Sequence, residues 1–394
     1  MQRKTVFNSR IMRRKSIYLF AIAATCLAMT ACFKDEPLNA ECDIEKAWIH
    51  YDKPEECTWN LSDTIINVYS GENRITFRVK PGTDRTHLAP QFVTTEGAVI
   101  EPGNGVERDF SNGALLYIVT SQDGNWQRKY EVEVVEMHRT IRDTIYYDFE
   151  RFALEKNKYY KWSELREDGT ENDKWASGNS GFAIAKSSAA PEDYPTIPTE
   201  EGYEGYGVKL VTRETGSWGN MMGMRLAAGN LFVGKFNLVL GNPLKSTLFG
   251  ELFDKKPMKF TGYYKYRPGD TFQDKNGAVM ADKVDKGAIY AIFFKNHDTD
   301  GNVVVLDGEN VQTCEYIVAK AVMPEVTPTE EWTAFEIPFD YSFYEFDQET
   351  LDAFGYSLTV VFSSSIDGDL FQGAIGSTLY IDKVRIVCET EMTE

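Results

Sequence analysis

Short runs of alternating apolar and polar residues, each closed by a turn signal, recur along this chain and leave little room for helices. Ile75, Phe77 and Val79 alternate with Thr76, Arg78 and Lys80, the period of a half-buried strand. Leu115 to Thr120 and Tyr130 to Val135 are two more runs, divided by Asp123-Gly124, a pair that supplies positive φ at a hairpin turn. Pro81-Gly82 and Pro102-Gly103 mark further turns. The later chain repeats the pattern: Met258 to Tyr266 alternates, and Ala288 to Phe294 is apolar throughout, as in a strand buried on both faces. A turn at Asn296 to Gly301 leads back into Val303 to Leu306. Trp332 to Phe339, Leu358 to Phe362 and Leu379 to Val387 complete the strands. One helix is predicted, Gln348 to Phe354, with Gly355 in a C-cap position. A Rossmann or barrel α/β fold needs many such helices. The fold class is all-β, with a smaller β-sandwich followed by a larger one.

Composition narrows the chemistry. Lys plus Arg is 42 against Asp plus Glu 60, a net charge of −18, which argues against a nucleic-acid partner, since phosphate binding rests on clustered cations. Four histidines, His50, His87, His138 and His297, are widely separated, so histidine-rich zinc sites and HExxH metalloproteases are out. A Ser-His-acid triad would have to recruit His297 at a turn, and no GxSxG elbow is framed for it. No catalytic residue is assigned and no organic cofactor is expected.

The first segment reads as an address. Residues 1–31 hold Arg3, Lys4, Arg10, Arg13, Arg14 and Lys15 with no acid, then an apolar stretch from Ile17 to Ala31, too short for a comfortable membrane span. Leu27-Ala28-Met29-Thr30-Ala31-Cys32 resembles the lipobox of bacterial lipoproteins, which implies cleavage before Cys32 and lipid on that cysteine. Lys34-Asp35-Glu36 resembles the export signal that sends Bacteroidetes lipoproteins to the outer face of the outer membrane. The resemblance implies a lipid-anchored protein facing the cell exterior, with residues 32–41 as tether and the membrane reached only through lipid. Of the remaining cysteines, Cys42 with Cys57 would close a loop of about 15 residues, worth roughly 3 kcal/mol if oxidised. Cys314 and Cys388 lie in one later domain, and sequence does not fix their distance.

Two further resemblances organise the rest. Ile75 to Asp84, Leu88-Ala89-Pro90, Arg108-Asp109-Phe110 and Val119 to Trp126 resemble the N-terminal immunoglobulin-like repeat of Bacteroidetes surface lipoproteins, implying a spacer over residues 42–137. Trp126, just after a hairpin turn, is expected to pack across the strand pair. Residues 138–145, charged and without alternation, read as a linker. Residues 146–394 resemble the "putative carbohydrate-metabolism domain" of Bacteroides surface lipoproteins. The matching blocks are Trp175 to Phe182, Ala228 to Phe236, Phe249-Gly250 through Pro257 to Pro268-Gly269, and Gly373 to Asp382. That resemblance implies a jelly-roll sandwich like those of carbohydrate-binding modules.

Sugar recognition has its own physics. Pyranose faces stack on flat aromatic rings, and hydroxyls need amide and carboxylate partners. Aromatics on Gly-rich, irregular segments are the candidates: Trp175, Trp218, Tyr203 and Tyr206. Tyr263, Tyr264 and Tyr266 stand on a regular strand and are expected to pack. Asp148, Glu150 and Asp382, at the first and last strands, are the acids that would hold a structural calcium, whose ligands are oxygens. The reading is a surface lipoprotein that binds glycan in a polysaccharide-utilisation system, beside outer-membrane glycan-uptake proteins. The alternatives are a glycoside hydrolase, with Glu251, Asp254 and Asp270 as first acids to test, and an adhesin-like module.

Overall fold

The computed structural model describes residues 37–165, 169 and 171–390. The basic and apolar leader, Cys32 and Lys34 to Glu36 lie outside the described residues. No helix of the described residues is long and apolar enough to cross a membrane.

The N-terminal unit is two small sheets over one core. Strands β1 (Ile44–Trp48), β2 (Ile65–Asn67) and β4 (Gln91–Thr94) form one sheet; β3 (Arg74–Val79), β5 (Val99–Glu101), β6 (Leu115–Thr120) and β7 (Gln127–Glu136) form the other, ordered β3-β7-β6-β5. The alternation in β3 places Ile75, Phe77 and Val79 inside, against Phe92, Tyr117 and Tyr130. Gly124, at φ 71, makes the β6–β7 turn as its sequence requires. Trp126 is not packed as expected: it is 61% exposed, because the turn carries it past the end of the core.

The larger unit is a two-sheet sandwich. A front sheet runs β10 (Thr196–Thr199), β11 (Gly207–Val211), β18 (Thr378–Cys388), β13 (Pro257–Arg267), β16 (Thr329–Pro338), with β8 (Thr144–Tyr147) paired to the end of β18. A back sheet runs β9 (Trp175–Ala176), β12 (Asn230–Phe236), β17 (Tyr356–Ser363), β14 (Ala288–Lys295), β15 (Ile317–Val322). The core between them includes Phe260, Tyr264, Tyr266, Phe293, Phe362, Leu379 and Ile381. β14 is buried on both faces, as its unbroken apolar run predicts. Its outer face meets a second cluster with Phe232, Leu306 and Val361.

Four departures are informative. Val303 to Leu306 is no strand and makes only isolated bridges, at Val303 to His297 and at Leu306 to Phe249. Helices α1 (Pro54–Cys57), α2 (Asn179–Ala185) and α3 (Gly216–Met221) accompany α4 (Gln348–Asp352). At the α4 end it is Phe354, φ 54, that takes the left-handed position, while Gly355 N–H bonds to Thr350 O at 2.8 Å. Cys42, Cys57, Cys314 and Cys388 are all free thiols, and Cys314 and Cys388 sit in different clusters.

The two units touch through specific polar contacts. Ser62 Oγ lies 2.6 Å from His297 Nε2, Arg78 pairs with Glu251 at 3.3 Å, and Arg139 with Asp352 at 2.6 Å.

Candidate functional site

The outer face of the front sheet carries a row of alternating cations and aromatic rings. On β13 the inward residues are Tyr264 and Tyr266, so Tyr263 and Lys265 point outward; on β18 Leu379 and Ile381 point in and Tyr380 out. The register aligns Lys209 of β11 with Tyr380, and Tyr380 with Lys265. The Lys209 ammonium stands 5.5 Å from the Tyr380 ring centre, and that of Lys265 5.2 Å from Tyr380 and 4.8 Å from Trp332 of β16. Tyr203, from the loop between β10 and β11, stacks on Tyr263 at 3.7 Å and 11° and meets Trp332 edge-on. Tyr203 is 46% exposed, and its phenol is held above its ordinary value by the hydrogen bond with Tyr263. Tyr203 is the one expected residue that joins this surface; Tyr263, Trp332, Tyr380, Lys209 and Lys265 were not anticipated.

The acids expected to bind calcium build the Tyr203 loop instead. Asp382, fully buried, accepts the Glu204 N–H at 3.0 Å and the Lys383 N–H at 2.6 Å. Burial pushes its carboxyl up, and these amides oppose the shift. Glu150 accepts the Tyr206 N–H at 3.1 Å. Gly205, at φ 74, takes the left-handed conformation that favours glycine, with the Glu150 carboxylate packed against it. Asp148, Glu150 and Glu204 surround the Lys383 ammonium at 3.5, 3.9 and 3.7 Å. Among the described residues no group of three His, Cys, Asp or Glu could hold a metal ion. The set Asp148, Glu150 and Asp382 therefore does not fit calcium, because a lysine supplies the positive charge. Lys383→Ala is expected to leave those acids facing an empty space and to create a weak calcium site. Millimolar calcium should then raise the melting temperature of the variant and leave wild type unchanged. A calcium-stabilised wild type would sink this account.

The other expected residues lie apart. Trp175 is a core residue, 3% exposed, wedged against Tyr147 and Phe149; it is no ligand platform because β9 turns it between the sheets. Tyr206 packs edge-on against Phe152 at 5.1 Å. Trp218 lies on α3, not on an irregular loop, and lines a cavity of about 430 Å³ outside the back sheet with Phe182, Phe236 and Tyr290. Its carboxylates are Asp369, pushed up by burial and then by Asp367, and Glu309, held down by the Asn242 amide. Of the acids first named for hydrolysis, Glu251 is paired with Arg78, Asp254 accepts from Thr140 N–H and Oγ, and Asp270 is exposed.

Comparison with known proteins agrees with a carbohydrate setting. Residues 148–387 match the family described as "Putative carbohydrate metabolism domain", and residues 58–134 match that described as "SGBP, N-terminal". A crystal structure from Bacteroides thetaiotaomicron, described as a putative glycoside hydrolase, is 39% identical with a TM-score of 0.78, covering 91% of this chain and 100% of that one. Another so described, from Bacteroides vulgatus, is 39% identical with a TM-score of 0.57, covering 62% of this chain and 98% of that one. No curated protein matches this chain. On the length matched and on this identity, the chain belongs to the family described as "Putative carbohydrate metabolism domain".

Proposed function

We propose that this chain is a cell-surface glycan-binding protein, anchored in the outer membrane through lipid on Cys32 and serving a polysaccharide-uptake system. The observation that carries the reading is the aromatic surface formed by the half-buried Tyr263, Trp332 and Tyr380 of a regular sheet and the exposed Tyr203 of the loop beside it. Rigid rings at sheet positions lose little entropy on contact and offer faces and edges to pyranose C–H groups. Matches to a carbohydrate family and to an SGBP N-terminal domain support it. A row crossing four strands spans about 14 Å at the usual interstrand spacing, enough for several sugars of an extended chain.

Hydrolysis is the second reading, favoured by the cavity acids Asp369 and Glu309, whose surroundings drive their pKa values apart. One experiment separates the two. A glycan-array screen followed by product analysis is expected to find binding without shortening, weakened at least tenfold by Trp332→Ala or Tyr203→Ala. Shortened products that disappear in Asp369→Asn would transfer the function to the cavity.

A further inference from the structure

The charges in the aromatic row narrow the class of glycan. Lys259, Lys383, Lys235 and Lys256 are each paired with a carboxylate. Lys209 and Lys265 are not: among the described residues neither has a carboxylate within ion-pair distance, although acids outnumber bases in this chain. Their ammoniums are held only over rings, leaving N–H donors free for an incoming acceptor. The register puts the two lysines on strands separated by one strand, with Tyr380 between them. At the usual interstrand spacing their backbones are about 10 Å apart. That step is close to the length of one disaccharide in an extended polysaccharide.

Further along the same face of β18, Arg385 lies 5.1 Å from the Tyr146 ring and adds a third cation. The acids nearby do not cancel the row. Glu336 is paired with Lys259 at 2.7 Å, and Glu204 shares the single Lys383 ammonium with Asp148 and Glu150, so the surplus negative charge sits beside the Tyr203 loop and not against Lys209 or Lys265. Glu330 and Glu331 are exposed at the start of β16 with no ion pair to either lysine among the described residues. The net charge of −18 repels anions at a distance, yet screening confines that field to about 8 Å at physiological ionic strength, so contact chemistry decides.

Resting on the glycan-binding reading, we infer that this face selects acidic glycans, with Lys209 and Lys265 each taking a carboxylate of a hexuronic acid. The sugars so held are alternate residues of the chain, while Tyr203, Tyr380 and Trp332 contact the sugars between and beside them. The chemistry is direct: an ammonium donates charge-assisted hydrogen bonds to a carboxylate, and the rings contact the apolar sugar faces. A neutral glycan would offer both ammoniums only hydroxyl and ring oxygens, without the charge-assisted bond.

The test uses the full chain in detergent, titrated with decasaccharides of hyaluronan, chondroitin and polygalacturonate and with their carboxyl-reduced counterparts. The acidic oligosaccharides are expected to bind at least tenfold more tightly than the reduced ones. Lys209→Gln and Lys265→Gln should each weaken acidic binding about tenfold, the size of one lost charge-assisted bond. Lys265→Arg should restore most of it, and the melting temperatures of all three should match wild type. Equal affinity for acidic and reduced chains, or indifference to both glutamine substitutions, overturns the inference. Binding of neutral glycans alone, lost in Trp332→Ala, would overturn it while leaving glycan binding intact. No binding to any glycan on the array would overturn both.

Discussion

Trp175→Ala is expected to destabilise the larger domain by about 3–5 kcal/mol, the usual cost of emptying a large aromatic site in a core. Trp175 is packed against Tyr147 at 5.1 Å, Phe149 at 5.3 Å and Phe362 at 6.5 Å, so its loss unseats rings from both sheets. Its indole N–H also donates to Glu164 at 3.0 Å. Burial pushes the Glu164 carboxyl up and the indole bond opposes that shift, so the variant leaves a half-buried carboxylate short of a donor. A fall in melting temperature of roughly 10 °C follows for a unit of this size. Glycan affinity at 25 °C should be unchanged, since Trp175 lies between the sheets and the aromatic row lies outside one of them. Trp332→Ala should do the opposite, losing affinity with little change in stability. Urea unfolding and calorimetric titration of the two variants check the pair; a Trp175→Ala that unfolds like wild type but no longer binds would place the site elsewhere.

The two tryptophans also show what the sequence could and could not carry. Strands were legible because burying one face forces a two-residue period, and β3, β6, β13 and β18 follow it. β14 was legible from its unbroken apolar run. Side-chain destinations in Gly-rich segments were not, because a two-residue strand and a six-residue helix leave no period to count. Trp175 and Trp218, both in such segments, went to the core and to a cavity wall. Tyr263 and Tyr264 are consecutive in a strand, so they cannot both face the core, and alternation alone puts Tyr263 beside Lys265 on the outer face. The partners across the row were invisible for a different reason. Lys209, Tyr380 and Trp332 meet only through strand register, which no local pattern encodes. Asp148 and Glu150 do converge, but on the ammonium of Lys383, next in sequence to Asp382, while Asp382 itself is engaged by the Glu204 and Lys383 amides.

A second large effect is expected at Asp285, which joins the sheets at one edge of the sandwich. This carboxylate is 1% exposed, and one oxygen accepts from Ser365 Oγ at 2.5 Å, Ala374 N–H at 2.7 Å and Ser377 Oγ at 2.7 Å. The other accepts from Lys286 N–H at 2.9 Å. Ser365 follows β17 of the back sheet and Ser377 precedes β18 of the front sheet, so one side chain fixes how both strands enter the core. Gly373 permits the approach, since a Cβ there would lie 2.7 Å from Ser365 Oγ. Asp285→Ala removes a shared acceptor from buried donors and is expected to cost about 3 kcal/mol. Asp285→Asn should cost less and should reveal the charge. Burial raises the Asp285 pKa above its ordinary value, and the serine hydroxyls and amides only partly oppose it. In the window between the ordinary and the folded pKa the native state holds more protons than the unfolded one. Asp285 therefore adds stability on the acid side of that window, and the addition is lost as pH rises through the folded pKa. The stability advantage of wild type over Asp285→Asn should accordingly shrink as pH rises from 4 toward neutrality in urea titrations. Parallel curves would mean that the carboxyl does not change protonation on folding, and a neutral Asp285→Ala would mean that the serine network holds the strands without it.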